Sequence, residues 1–474
     1  MRTNMFRVLA LATAVPCAIA QTDLPVTKIV EVGDVVPGPS GTQMLLPQNV
    51  QWWPEWQTPS TDGTAVTFAV PVDDGSPGGS EGLYRYRPSL GLDVVVDPFG
   101  STSLEGGAAL PAETLWHHRP QDDFVYFSMG DASLVSYMTS PQGIRALAFA
   151  GMPIGPADTP LGGIGQGKWT GAAFIATARH PPAQPNFTDL IAVDATGRAT
   201  SLMTELLDDF DDGLMVWPGV WAGPRADMHG DNVAAVTMVG VLAVRWDGNW
   251  NFVQYDGFNF ANAVAINDAR VAYYTKTEGP LFPGRLGWWT PLEGHRVIEA
   301  GDALPNGDVL VDVPLRNRFA MDGDIVVMQA TTDRGTCVYR IDLEQMTASP
   351  LIELGVDRIA GRTVTSVGFG EASIAGGTLV FAATLDDATG GIFTIDIEAV
   401  STPCVADLTT DGTANGTPDG AVTLSDFSFY LMLWSARDAA ADVTTDGTAN
   451  GIPDGSVTLS DFSMYLSLWS AGCP

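Results

Sequence analysis

Ile29-Val30-Glu31-Val32-Gly33-Asp34-Val35-Val36-Pro37 and Val297-Ile298-Glu299-Ala300-Gly301-Asp302-Ala303-Leu304-Pro305 are two versions of one phrase. Each is a short apolar run ending in Glu and a small residue, then Gly-Asp, then a second apolar run stopped by Pro. Asp34 and Asp302 stand 268 positions apart. That is close to five units of roughly 54 residues, and a period of this size marks a repeat architecture. Short strand-like runs recur outward from the pair, at 65–70, 124–129, 172–176, 233–239, 270–274, 324–329 and 378–383. Second runs follow most of them, at 82–86, 241–246, 285–289, 337–341 and 391–397. Third runs lie at 92–96, 252–255 and 296–300. Period-2 alternation bounded by Gly, Pro and Asp is the strand signature.

The chain therefore predicts a mainly β body over 21–400, a seven-bladed β-propeller. A pair of β-sandwiches and a six-bladed ring with insertions are the alternatives. The seventh unit ends after two strands, at Ile397. The run at 28–32 resembles the missing strand and would close the ring, leaving few exposed edges.

Charge narrows the partners. Lys+Arg number 23 and Asp+Glu 55, a net charge of -32. Such a chain repels phosphate, which argues against nucleic acid and anionic membranes as partners. Residues 1–20 read as a signal peptide: Arg2 and Arg7, an apolar run at 8–15, and Ala18-Ile19-Ala20 before Gln21. The run is too short to span a bilayer, and no later stretch is apolar for about 18 residues, so no transmembrane segment is expected. The expected location is extracellular or cell-surface. Cys337 sits in a strand-like run. Cys404 and Cys473 bracket the tail, and in an exported protein that bracketing predicts a disulfide.

Composition shifts abruptly after Val400. Residues 401–474 hold nine Asp, one Arg and no Lys or Glu. Two copies align at a spacing of 35, one from Asp407 to Asp426 and one from Asp442 to Asp461. Each runs into a helix-like segment. Phe427, Tyr430, Leu431 and Trp434 share one face at i, i+3, i+4, i+7, and Phe462, Tyr465, Leu466 and Trp469 repeat it. Calcium needs six or more oxygens from one tight loop, with a Gly at the sharp turn and a carboxylate fixed by the following helix. Asp419, Gly420, the Ala421 carbonyl and closing Asp426 fit that need, as do Asp454, Gly455, Ser456 and Asp461. Two frames fit the opening half. An expanded one starts at Asp407 and Asp442, with Thr409 and Thr444 as third-position oxygens. A contiguous one starts at Asn415 and Asn450. The expanded frame is preferred because Ile452 would take third position in the contiguous one. Asp411, Asp446, Thr423 and Thr458 are further candidate donors. Two Ca2+ sites are expected, in EF-hand-like loops that close on Asp.

This duplicated loop–helix motif resembles a dockerin, and the Cys-x-x-Asp start and Gly472-Cys473-Pro474 end resemble the GC-type variants. The resemblance covers about 70 residues. It implies calcium-dependent folding and docking onto a cohesin-like receptor on a scaffold or cell surface. In dockerins the residues at loop positions 10 and 11 help contact the receptor, which here are Leu424-Ser425 and Leu459-Ser460. Ser428 and Ser463 repeat as well. Thr at third position and the insertion in each loop depart from the dockerin pattern. A structural calcium repeat with no partner is the alternative.

Two function classes remain for the body: a non-catalytic binding propeller, and an extracellular enzyme acting on polysaccharide. A glycosidase needs two carboxylates at a set separation. Glu113, Asp122, Asp123, Asp208, Asp209, Asp211 and Asp212 are available, and sequence selects no pair among them. His117-His118 reads as a surface turn. Gly162–Gly167 is glycine-rich without a following helix, which argues against a phosphate cradle. Trp52-Trp53-Trp56, Trp246-Trp250 and Trp288-Trp289 suit either sugar stacking, with a glycan as partner, or the propeller core.

Overall fold

The computed structural model describes residues 23–37, 43–45, 58–72, 80–97, 102–105, 110, 115–129, 135–140, 143–154, 159–170, 173–179, 188–202, 226–236, 241–254, 261–275, 284–313, 318–398, 406–409, 412, 414, 416, 422–444, 447 and 455–471. Residues 1–20, where a signal peptide is expected, Cys404, Cys473 and Trp52-Trp53-Trp56 lie outside these residues.

Seven sheets among the described residues make the blades, each built on four antiparallel strands, in meander order in six of them and completed by the N-terminal strand in the seventh; Val35–Pro37 and Gln43–Leu45 form a separate two-stranded sheet. The first is Ser60–Thr61, Val66–Val72, Ser80–Arg87 and Gly91–Val96; the sixth is Phe319–Asp322, Ile325–Thr332, Gly335–Asp342 and Thr347–Glu353. The innermost strands are Ser60–Thr61, Leu115–Gln121, Gly163–Thr170, Ala226–His229, Ala261–Ile266, Phe319–Asp322 and Ile374–Ala375. Each touches the next in that order, and Ile374–Ala375 touches Ser60–Thr61. Seven contacts thus close a ring, and the body is a seven-bladed β-propeller.

The ring closes with the N-terminal strand. Val26–Glu31 pairs antiparallel with Gly390–Asp396, placing Val26 opposite Ile395, Thr27 opposite Thr394 and Lys28 opposite Phe393. It supplies the outermost strand of the seventh blade, whose sheet also holds Thr378–Leu385, the short Ile374–Ala375, Arg362–Gly368 and Arg358–Ile359. Val30 joins Val36, Phe68, Tyr84, Val380 and Ile392 in one core between the last and first blades. Arg362 fixes the strand by bonding the Glu31 carboxylate and the Thr389 hydroxyl.

Hydrogen bonds latch several neighbouring blades at or near the ends of their inner strands. Asp62 accepts the Asp122 amide at 2.9 Å, Asp227 the Ile266 amide at 3.1 Å and Asp322 the Gly376 amide at 2.7 Å. Asn267 donates to the Gly323 carbonyl. The Thr61 amide donates to the Ala372 carbonyl at 2.8 Å, joining the seventh blade to the first. An Asp or Asn here accepts or donates across a gap where neither strand can continue the ladder, so backbone groups at the seam stay paired.

The repeated Gly-Asp phrase is a turn. Asp34 accepts the Glu31 amide at 2.8 Å and returns its own amide to the Glu31 carbonyl at 2.9 Å. Asp302 does the same with Glu299, at 2.9 Å in both directions. Gly33 and Gly301 hold φ of 91° and 99°, where a side chain would be strained. A related turn, one residue longer and without the Gly-Asp pair, joins Glu353 and Asp357 with bonds of 2.7 and 3.0 Å.

One local expectation is corrected: His117-His118 lies in the innermost strand of the second blade, not in a surface turn. The glycine-rich run continues into the inner strand of the third blade, Gly163–Thr170, and among the described residues no helix directly follows it. Cys337 is buried within a strand, as its apolar neighbours predict.

Gly287 is required by packing. A Cβ there would lie 2.2 Å from Tyr273 Cζ. The Tyr273 ring crosses the bare backbone, stacks on His295 and bonds its Nε2. Burial holds the His295 pKa below its usual value. Gly287→Val must displace that ring, so we expect a loss of about 3 kcal/mol, at the upper end of overpacking effects. A urea titration checks this; an unchanged midpoint would contradict the packing described.

Candidate functional site: the C-terminal loops and helices

Two helices of equal length follow the body, α1 (Leu424–Ala436) and α2 (Leu459–Ala471), with a short 3-10 turn at Ala439–Ala441 between them. Thr423 caps α1. Its hydroxyl accepts the Ser425 amide at 3.1 Å, while Asp426 accepts the Thr423 amide at 2.8 Å. This reciprocal capping box fixes where the helix starts. The helix stops at Arg437, which takes the left-handed conformation with φ 55°. Thr458 and Asp461 repeat the cap on α2, at 3.2 and 2.8 Å.

The helices pack by reciprocal contacts. Tyr430 and Tyr465 stack face to face, centroids 3.6 Å apart and planes within 3°. The Tyr430 hydroxyl donates to the Ala441 carbonyl, and that of Tyr465 to the Ala406 carbonyl. Trp434 Nε1 donates to the Thr458 carbonyl and Trp469 Nε1 to the Thr423 carbonyl, both at 2.8 Å. Phe427 packs on Trp469 at 5.2 Å, and Phe462 on Trp434 at 5.3 Å. Each contact of one repeat is returned by the other, which is the pattern of a local twofold axis. Burial and the neighbouring Asp461 and Asp442 carboxylates push the Tyr430 hydroxyl pKa well up; burial and Asp426 do the same for Tyr465.

The loops gather acceptors at the helix starts. Asp407, Thr409, Asp442 and Thr444 are all buried. The Gly455 amide donates to Asp442 Oδ2 at 2.5 Å. That bond brings the first residue of the expanded frame against the turn glycine, across the inserted segment. Asp426 Oδ1 accepts the amides of Leu408 and Thr409 at 2.7 and 2.8 Å, and Asp461 Oδ1 those of Val443 and Thr444, both at 2.9 Å. Burial pushes both carboxyls up, but these bonds outweigh it and both pKa values fall below the usual range. Asp411, Asn415, Asp419, Ala421, Asp446, Asn450 and Asp454 lie outside the described residues. Among the described residues no group of three or more His, Cys, Asp or Glu side chains is placed to hold a metal ion. The closing aspartates have protein donors on both oxygens, and Asp442 holds one on Oδ2.

The predicted contact residues separate into two kinds. Leu424 and Leu459 are each 71% exposed, although large and apolar. Ser428 and Ser463 are exposed too. Ser425 and Ser460 instead turn inward, their hydroxyls accepting the Gly412 and Gly447 amides at 2.8 and 2.9 Å.

Several of the body's candidates that lie among the described residues sit in strands, turns or the core. His118 Nδ1 meets Ser60 Oγ at 3.2 Å and Thr67 Oγ1 at 3.0 Å. Ser60 spends its proton on the His118 carbonyl at 2.6 Å, so its hydroxyl is not aimed at the imidazole as a nucleophile's would be. Asp122 and Asp123 form an exposed hairpin turn, and Glu113, Asp208, Asp209, Asp211 and Asp212 lie outside the described residues. Trp288 and Trp289 are buried, and Trp246 meets Trp289 edge-on at 5.9 Å. These three rings belong to the core.

No protein-family model matches the chain, and no curated protein does. Among solved structures it is similar to the β-propeller domain of the Trilobed protease from Pyrococcus furiosus, described as having an open velcro topology. Identity is 10%, the match covers 72% of this chain and 94% of that one, and the TM-score is 0.43. The WD40 propeller domain of Doa1 matches at 10% identity and TM-score 0.35, over 77% of this chain and 97% of that one. The seven blades rest on strand pairing and ring contacts, independently of these neighbours.

Proposed function

We propose that the chain is an exported, non-catalytic binding propeller docked to a cohesin-like receptor by its C-terminal calcium loops. One observation carries the reading: the two helices are related by reciprocal contacts yet leave the same apolar residue, Leu424 or Leu459, in solvent. A fold needs repeated ligands and a repeated core. It does not need repeated exposed leucines, and a matched pair of them suits a partner that meets either helix. The acidic tail, with nine Asp against one Arg, is expected to gain stability from a divalent cation.

Calcium at 100 times its dissociation constant should stabilise the tail by about 2.7 kcal/mol per site. Differential scanning calorimetry of the mature chain with excess calcium and with excess chelator checks this. Identical tail transitions in the two buffers would refute the calcium reading.

A further inference from the structure

The closing aspartates have a role other than the one their loop position suggests. Asp426 Oδ1 takes two amides, from Leu408 and Thr409. Its Oδ2 takes the Thr423 amide at 2.8 Å and the Thr423 hydroxyl at 3.2 Å. Asp461 repeats all four bonds, with Val443, Thr444 and both donors of Thr458. A carboxylate offers about four lone-pair sites, and here each carries a donor. Both residues are fully buried. Binding an ion at these oxygens would strip amides of partners inside the protein, which is costly.

We propose that Asp426 and Asp461 are clasps rather than metal ligands. Each carboxylate staples the chain entering the repeat, at 408–409 or 443–444, to the first turn of its helix. The stapled segment begins with Asp407 or Asp442, so the clasp also sets the opening residues of the loop in place. A bound ion would then take its oxygens from the loop ahead of the clasp. Protein hydrogen bonds join the entering chain to the helix, so this junction holds without metal.

The clasp and ligand roles predict opposite results in the absence of metal. A ligand carboxylate in an acidic loop is repelled by its neighbours until the ion arrives, so neutralising it stabilises the metal-free form. Neutralising a clasp loosens that form. The test is amide-resolved hydrogen exchange on the full mature chain in excess chelator. In Asp426→Asn the amides of Leu408, Thr409 and Thr423 should exchange about tenfold or more faster than in the wild type. In Asp407→Asn they should stay protected. Exchange in Asp426→Asn equal to or slower than wild type would overturn the proposal, as would a wild-type tail unprotected in chelator. If Asp426→Asn does not fold, the wild type alone decides. On adding calcium, Leu408 and Thr409 should be at least as protected as before; a loss of protection would mean that the carboxylate leaves them for the ion. The location of the ion rests on the calcium reading above, but the chelator arm does not. If calcium changes nothing while the chelator result holds, that reading fails and the clasp stands.

Discussion

A protein of residues 37–474 should melt about 10 °C below one of residues 21–474, with the whole propeller affected. The deleted segment carries the outermost strand of the seventh blade. Its loss exposes the edge of Gly390–Asp396 and removes Val30 from a core that includes Phe68, Tyr84, Val380 and Ile392. It also leaves Arg362 without the Glu31 carboxylate. Burying one large aliphatic side chain is worth about 1.5–3 kcal/mol, and Val30 is joined there by partly buried Ile29 and Val32. Together with the lost ladder this approaches 5 kcal/mol, and each kcal/mol shifts a domain of this size by about 2 °C. Trimming a frayed terminus would cost almost nothing. Circular dichroism melts of both proteins measure the difference, and equal melting temperatures would rule out closure by this strand.

The sequence revealed the strands whose side chains pack on both sheet faces. Phe124–Met129 and Thr378–Leu385 are nearly continuous apolar runs, because each is sandwiched between neighbouring blades. The inner strands were missed for a physical reason. Several are short or polar: Ser60–Thr61 and Ile374–Ala375 have two residues each, Leu115–Gln121 contains His117, His118, Arg119 and Pro120, and Ala226–His229 ends on Met228-His229. Strands held by inter-blade latches such as that of Asp62 with Asp122 need no apolar alternation, and without it their period is not visible. The Gly-Asp phrase was legible as a repeat but not as a turn, since its logic lies in a side-chain bond back to the Glu amide three residues earlier.

The tail was legible in a different way. The i, i+3, i+4, i+7 face predicted both helices, and Tyr430 and Tyr465 do form their shared core. Spacing alone could not separate Leu424 from Ser425. Both precede the same apolar face, but the serine hydroxyl is consumed by the Gly412 amide while the leucine stays in solvent. Nor could spacing distinguish a carboxylate free to bind an ion from one holding two amides 17 and 18 residues back.

Matched exposed leucines have a large consequence for docking. If the receptor accepts either helix, Leu424→Glu alone leaves one full binding mode, and so does Leu459→Glu alone. Losing one of two equal modes halves the association constant, about a twofold effect. The double variant leaves neither mode and places a carboxylate in both contacts, a loss of about 100-fold or more. The substitutions are mild for the fold. Both residues stand first in their helices and in solvent, where an acid is favoured by the helix dipole.

Isothermal titration of the wild type, each single variant and the double variant, all as residues 21–474, with a cohesin-like receptor module, in excess calcium and again in excess chelator, tests the docking account most directly. It predicts tight binding in calcium, nearly unchanged in either single variant and lost in the double variant, and weak or no binding in chelator. Equal affinity of all four proteins, or a single variant that abolishes binding with its calcium stoichiometry intact, would contradict it.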